Sequence, residues 1–166
     1  MSEAIIATER PGLIVREFTD SDTQTLCDVI GANAEHLIPF FGAEVPEAYT
    51  TPEGLREKLA QRKRDGSFWA GIWERDELVG SVEVYPDFAE AETGEVCYWI
   101  SKESAGQGLT TFALRAIMNS QRERFSKFQA HTHESNLASQ ALLKKAGFRF
   151  VRPQYGYLMF DTSTDN

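Results

Sequence analysis

The chain has little with which to be cross-linked, anchored in a bilayer or drawn to nucleic acid. Only two cysteines, Cys27 and Cys97, occur in 166 residues. That is too few for a disulfide framework, and a cytoplasmic protein with reduced thiols is the expectation. No stretch approaches the roughly eighteen consecutive apolar residues of a membrane span. The opening MSEAIIATER lacks the basic start and long apolar stretch of a signal peptide. Excess positive charge is missing as well, because 17 Lys and Arg against 25 Asp and Glu leave a net charge of −8. Phosphate backbones repel such a chain, which argues against direct nucleic-acid binding. An acidic surface favours amine-bearing partners, and it also keeps a protein soluble whatever its partner. Internal repeats and low-complexity linkers are absent too.

What is present is enough for one domain over residues 1–166, with its core in about 11–162. Hydrophobic residues make up 42% of the chain, and the length suits a single core. Residues 13–18 read as a first strand. Asp20 or Ser21 caps a helix through Leu26, Val29 and Ile30. Residues 31–52 read as irregular. A second helix runs from about Pro52, which suits a first turn, to Arg64, and Asp65-Gly66 ends it. Three strands follow over 67–73, 78–85 and 95–100, and their short connections make them an antiparallel meander. Leu109, Phe112, Ala113, Ala116 and Ile117 recur at helical spacing. The strand over 125–132 is joined to the one ending at Ile100 by that helix, so the two run parallel. Residues 136–145 form a short helix stopped by Gly147. Residues 148–151 and 157–160 close the sheet as a hairpin, and the tail 162–166 is frayed. The expected class is α/β (α+β by some schemes): a mixed sheet of six to seven strands with about four helices on its two faces.

One string stands out. Gly106-Gln107-Gly108 follows a strand and opens a helix. Glycines let a backbone approach a ligand closely, and a helix start leaves unpaired amides beside a positive dipole end. Together these make a seat for phosphate. No Gly-Lys-Ser/Thr follows, so this is not a Walker loop. Thr111 stands where a dinucleotide fingerprint needs its third glycine, and the preceding strands are antiparallel.

With Asn136, Ser139 and Gly147-Phe148 behind it, the loop resembles that of the GNAT acyl-CoA N-acyltransferases. The nearest branch is the RimJ/RimL type, which acetylates N-terminal amines of ribosomal proteins. Nearly the whole chain takes part. Asn33-Ala34-Glu35-His36-Leu37-Ile38-Pro39-Phe40 resembles the branch's acceptor-side segment, and Glu77-Leu78-Val79-Gly80-Ser81 its central strand opening. Glu95-Val96-Cys97-Tyr98-Trp99-Ile100 is similar to the strand leading to the cofactor loop. Ala105-Gly106-Gln107-Gly108-Leu109-Thr110 lies at the pyrophosphate loop. Asn136-Leu137-Ala138-Ser139 with Leu142, Lys145 and Gly147-Phe148 is the most specific part. Departures are Ala105 where Gln or Arg is usual, Thr110 where Gly or Ala is usual, and Leu143 where many relatives carry a tyrosine acid. That last role must fall to another residue.

The resemblance implies acetyl-CoA as co-substrate, with no metal. Amides around Gly106, Gln107, Gly108, Leu109 and Thr110 would take the pyrophosphate. The backbone near Ile100 and Ser101 would pair with the pantetheine arm, and Asn136 would hold the arm from the other side while also suiting a helix cap. Ser139 would sit at the thioester sulfur and donate a proton as thiolate leaves. Help there is useful but not essential, since a thiol has a pKa of about 8.5.

The acceptor decides how strong a base is needed. A protein α-amine, with a pKa of about 7.7–8.0, needs only about 1–1.5 kcal/mol to deprotonate at pH 7, against roughly 4–5 for a lysine. A carboxylate suffices for the former, and Glu83 and Glu95 on central strands are candidates, as well as plain rim residues. His36, Phe40 and Phe41 wall the acceptor cleft or pack as an apolar loop. His131 and His133 alternate with Thr132 and share a sheet face, where His133 faces the acceptor as a relay or both serve as structural histidines. Zinc would need a third ligand such as Cys97 or Glu95. Asp87, Glu90, Glu92 and Glu95 crowd one turn and attract a cation or form a solvated hairpin.

The expected activity is acetyl transfer to a protein or peptide α-amine, with a ribosomal protein N-terminus as one such acceptor and no membrane partner. Two other readings stay open: transfer to a small amine (a polyamine, amino acid or amine antibiotic), and a non-catalytic acyl-CoA-binding module. A monomer and a homodimer both fit.

Overall fold

A computed structural model describes residues 4–163. Its strands are β1 (Ile5–Ala7), β2 (Leu13–Glu17), β3 (Phe68–Glu74), β4 (Glu77–Pro86), β5 (Thr93–Ile100), β6 (Lys127–Thr132), β7 (Arg149–Gln154) and β8 (Tyr157–Asp161). The helices are α1 (Thr23–Ala32), α2 (Ala34–Phe41), α3 (Pro52–Asp65), α4 (Leu109–Ser120) and α5 (Leu137–Lys145). The strands form one sheet of eight in the order β1-β2-β3-β4-β5-β6-β8-β7. The α/β class holds, with one strand more than expected at the upper bound.

The extra strand is β1, three residues paired antiparallel to β2, too short to leave a period-2 signature. The segment 31–52 is not irregular throughout, because α2 lies in it. Pro39 inside that helix removes one hydrogen bond, and this masked it in the sequence. The N-cap of the first helix is Asp22, the end of a 3-10 turn, Asp20–Asp22, that itself starts at Thr19, rather than Asp20 or Ser21. Thr162 is not frayed: its amide and hydroxyl bond the backbone of Phe128. The last three residues of the tail, 164–166, lie outside the described residues.

Strand β4 is buried along most of its length, as expected for a strand covered on both faces. Val15, Val82, Val84, Val96, Leu114 and Ile117 belong to a core between the sheet and α4. Phe18, Leu26, Leu55, Trp69 and Trp99 form a second core under α1–α3. Alternation along β5 follows: Val96 and Tyr98 pack in the α4 core, Trp99 in the core under α1–α3, and Cys97 meets Glu83, the partner of Arg62 on α3.

The feature that positions a site is a split in the sheet. β4 pairs with β5 from Pro86↔Gly94 to Gly80↔Ile100. The parallel pairing of β5 with β6 covers only Thr93, Gly94 and Glu95. Beyond Glu95 the two strands diverge, and β6 continues with β8 instead. A notch therefore opens at the carboxyl ends of two parallel strands, with α4 and α5 starting at its mouth.

Candidate active site

The loop at the mouth of the notch is built by its backbone. Gly106 and Gly108 both have φ of +77°, a left-handed conformation costly to any residue with a Cβ. A Cβ at either position would meet nothing within 4 Å, so conformation and not crowding calls for glycine. Among the described residues, the amides of Gly106, Gln107 and Gly108 find no acceptor. Gly108 caps α4 without a side chain, and the first intrahelical bond found runs from Phe112 N to Gly108 O. The amides of Leu109 and Thr110 are thus free in the first turn. Leu109 and Thr110 are buried, so the open part of the loop is Gly106, Gln107 and Gly108. Arg10, in the turn between β1 and β2, reaches the loop, donating to Gln107 O at 3.4 Å while paired with Glu74 at 3.0 Å.

Along the notch, Ser101 N donates to Val79 O at 2.7 Å, which turns the carbonyl of Ile100 toward the edge that β6 has left. His36 Nε2 sits 3.1 Å from that carbonyl, and Lys102 N donates to Asn33 Oδ1 at 2.9 Å. The turn between α1 and α2 thus fastens the end of β5, and His36 meets the expected pantetheine edge rather than the acceptor wall.

Across the notch, Asn136 Oδ1 caps α5 by accepting from Ser139 N at 3.0 Å, which leaves the Asn136 Nδ2 donors for a ligand. Ser139 Oγ lies 2.6 Å from the hydroxyl of Tyr98 on β5. Burial pushes the Tyr98 phenol up to about 12, so it stays protonated.

The other sheet face holds a charged pair in an aromatic frame. Glu83 on β4 lies 2.9 Å from Arg62 of α3, with Cys97 Sγ 3.8 Å from its other oxygen. Burial lifts the Glu83 carboxyl above the ordinary range, against the pull of Arg62. Arg62 also donates to the Tyr49 hydroxyl at 3.0 Å and stacks 4.3 Å over the Trp69 ring. A cleft of ≈ 280 Å³ opens beside the pair, with Tyr49, Lys58, Arg62, Glu83, Tyr85 and Phe88 in its wall. That size takes one residue's side chain or a short chain end, near the small limit of ligand sites. A second space of ≈ 20 Å³ is large enough for about one water. It is lined by Glu83 as well as by Phe40, Tyr98 and Trp99. The carboxylate on one face and the tyrosine that touches Ser139 on the other thus border a common space.

The remaining expected residues fall elsewhere. Glu95 accepts from His131 Nδ1 at 2.7 Å, and His131 Nε2 donates to Gln154 at 3.1 Å. Neither Glu95 nor His131 lines the cleft. His133 lies past the end of β6 and not beside His131; its ring bonds Ser135 in the turn before α5. Phe41 packs on Tyr49, 4.8 Å between centroids, while Phe40 lines the smaller space. No cluster of three or more His, Cys, Asp or Glu that could hold a metal occurs among the described residues. Likewise no helix there is long and apolar enough to cross a membrane.

Arg62 and Tyr98 are among the site side chains that the sequence reading passed over. Each carries a signal. Leu55, Leu59 and Arg62 are spaced i, i+4, i+7, which puts an arginine on the buried stripe of α3. Tyr98 alternates with Val96 on the core face of β5, where a hydroxyl requires a partner.

Residues 12–149 match the family described as acetyltransferase (GNAT) domain. No curated protein sequence matches the chain. Among solved structures, it is similar to the ribosomal-protein-S5-alanine acetyltransferase of Vibrio fischeri, at 20% identity with a TM-score of 0.81, over 95% of this chain and 96% of that one. It is similar to RimL, the ribosomal L7/L12 alpha-N-protein acetyltransferase, in complex with coenzyme A, at 19% identity and a TM-score of 0.81, over 95% and 97%. It is also similar to the microcin C7 self immunity acetyltransferase MccE in complex with acetyl-CoA and AMP, at 15% identity and a TM-score of 0.76, over 92% of each chain. At such identities the likeness shows a shared fold, while the match over residues 12–149 covers most of the chain. The chain belongs to the GNAT acetyltransferase domain family, and with it to the acyltransferases.

Proposed function

We propose that the protein moves an acetyl group from acetyl-CoA to the α-amine of a peptide or protein chain in the cytoplasm, a ribosomal protein N-terminus being the leading acceptor. The observation that carries this reading is the arrangement around the notch: unpaired amides at its mouth, Ser139 on one side, and a cleft ending at Glu83 on the other face.

The amides from Gly106 to Thr110 hold the diphosphate, with the dipole of α4 behind them. The free edge of β5 near Ile100 and Ser101 receives the pantetheine arm as a strand would be received, and His36 yields its contact with Ile100 when the arm arrives. Asn136 Nδ2 donates to the arm. No metal takes part in this scheme. The amine enters through the aromatic cleft past Phe40. Its nitrogen lone pair attacks the thioester carbon, a C–N bond forms, the C–S bond breaks, and the electron pair settles on sulfur. The nitrogen proton passes to the Glu83 carboxylate, directly or through one water. The Ser139 hydroxyl hydrogen-bonds the sulfur as charge develops there, and the coenzyme leaves as thiol after taking up a proton. Glu83, raised by burial, is suited to an ammonium of pKa about 7.7–8.0 and is too weak for one of about 10.4.

Release of free coenzyme A on a panel of peptides and small amines tests the reading. Faster turnover on an α-amine peptide than on an N-terminally blocked peptide with an internal lysine is expected at pH 7. The reverse order, or preference for a polyamine or amino acid, would overturn the choice of acceptor while leaving the donor site standing.

A further inference from the structure

Leu143 stands where the resemblance would place a hydroxyl-bearing tyrosine, and Tyr98 brings a hydroxyl to the notch instead. Leu143 is fully buried in the core and offers no hydroxyl to the notch. Tyr98 does, from a different element. It lies on β5 three residues past Glu95, the last residue paired with β6, and its side chain faces α4 and α5. Its hydroxyl spans the gap to Ser139 Oγ at 2.6 Å. Ser139 is in turn pinned through its own amide to Asn136 Oδ1. The main chain of Ser139 is therefore held by the cap of α5, while its side chain is held from the opposite wall of the notch.

We infer that Tyr98 is a positioning residue for Ser139: its phenol donates to Ser139 Oγ and so turns the serine proton toward the thioester sulfur. This inference rests on the role given to Ser139 above. The direction of the bond follows from chemistry. A phenol is a stronger acid than an alkyl alcohol and is the better donor, and a buried phenol without charge gains most by donating. With its oxygen accepting from Tyr98, Ser139 has its single proton left over, and the rotor no longer averages over directions that miss the sulfur. A serine fixed this way needs no proton of its own to leave permanently, because a thiolate of pKa about 8.5 is stabilised by a hydrogen bond alone. The device also explains how a chain with leucine at position 143 keeps a hydroxyl aimed into the notch.

Tyr98→Phe, Ser139→Ala and the double variant test this on the whole chain with acetyl-CoA and an α-amine peptide. Tyr98→Phe keeps the ring and its packing, and calorimetry with coenzyme A checks that each variant binds. The expected result is a fall in kcat of about tenfold for Tyr98→Phe, the rate equivalent of one oriented hydrogen bond, with KM for acetyl-CoA within about twofold. The double variant should be no slower than Ser139→Ala, since Tyr98 acts only through the serine. A Tyr98→Phe enzyme with unchanged kcat, or one that binds coenzyme A much more weakly, would overturn the inference. So would losses that multiply in the double variant. If Ser139→Ala itself turns over at the wild-type rate, the role given to Ser139 fails first.

Discussion

The two faces of the sheet at the notch solve opposite problems. On the α4 and α5 face, where we place the diphosphate, the protein offers main chain, with two left-handed glycines and a helix start without a side-chain cap, beside an Asn cap and a short hydroxyl pair. On the α1–α3 face, where we place the proton transfer, the protein buries a full ion pair, Arg62 with Glu83, under Tyr49 and Trp69. The first arrangement depends on conformation and tolerates exchange of side chains. The second depends on charge balance and tolerates little.

The sharpest way to break this contrast is to remove one charge from the acceptor face. Arg62 and Glu83 side chains are only 20% and 11% exposed, so Arg62→Ala leaves a carboxylate unpaired at depth. Loss of about 3 kcal/mol of unfolding free energy is expected, read by urea denaturation. Adding Glu83→Gln should recover part of it, because the stranded charge is then gone. Affinity of the folded variant for coenzyme A should stay within about threefold of wild type, a difference below 1 kcal/mol. A large loss of cofactor affinity in Arg62→Ala would show that the two faces are not independent.

A smaller effect is expected when the main-chain site is altered. Gly108→Ala meets no steric obstacle but must hold φ near +77°, at a cost of about 1–2 kcal/mol. The loop can relax away from that conformation in the free protein, so the cost appears as weaker diphosphate binding, about tenfold. For the wild type, acetyl-CoA should raise Tm clearly and dephosphorylated pantetheine far less. In Gly108→Ala the acetyl-CoA shift should shrink while the pantetheine shift stays. Equal shifts from both ligands in the wild type would contradict the loop as the seat of the diphosphate.

The same contrast separates what the sequence discloses from what it withholds. The glycine loop before α4 could be located because its demands are local: glycine where φ is positive, a helix start, a crossover that makes β5 and β6 parallel. Asn136 and Ser139 are three residues apart on one helix, and their cap is a short-range fact. The acceptor face joins residues far apart in the chain, Arg62 to Glu83 and Phe40 to Tyr98, and no local pattern says which carboxylate lies in the cleft. Glu83 and Glu95 look alike on adjacent strands. Only the fold gives the first an arginine and a cleft, and the second a histidine. The three-residue β1 escaped because it is too short for alternation to show, and α2 escaped because Pro39 interrupts it. His133 escaped because β6 ends one residue before it.

The smallest effect comes from Glu95, the carboxylate that the cleft does not use. Its hydrogen bond holds His131 above the ordinary 6.5 for histidine, against burial that pulls the other way, and Gln154 and the charge of Asp87 add to the rise. A histidine raised in the folded state binds its proton more tightly there than in the unfolded chain. Its contribution is then complete below pH 6.5, the unfolded value, and fades as pH climbs through the higher folded value. His131→Gln keeps a donor near Glu95 and removes the titration. Wild type should therefore be more stable than His131→Gln below pH 6, by about 1 kcal/mol for a partly exposed histidine on a buried carboxylate, and the gap should close toward pH 9. Paired urea titrations across that range measure it. Turnover at pH 7 should barely change, since His131 stands outside the cleft; a large loss of kcat in His131→Gln would move the proton acceptor from Glu83 to the Glu95–His131 pair and make the two carboxylates exchange roles.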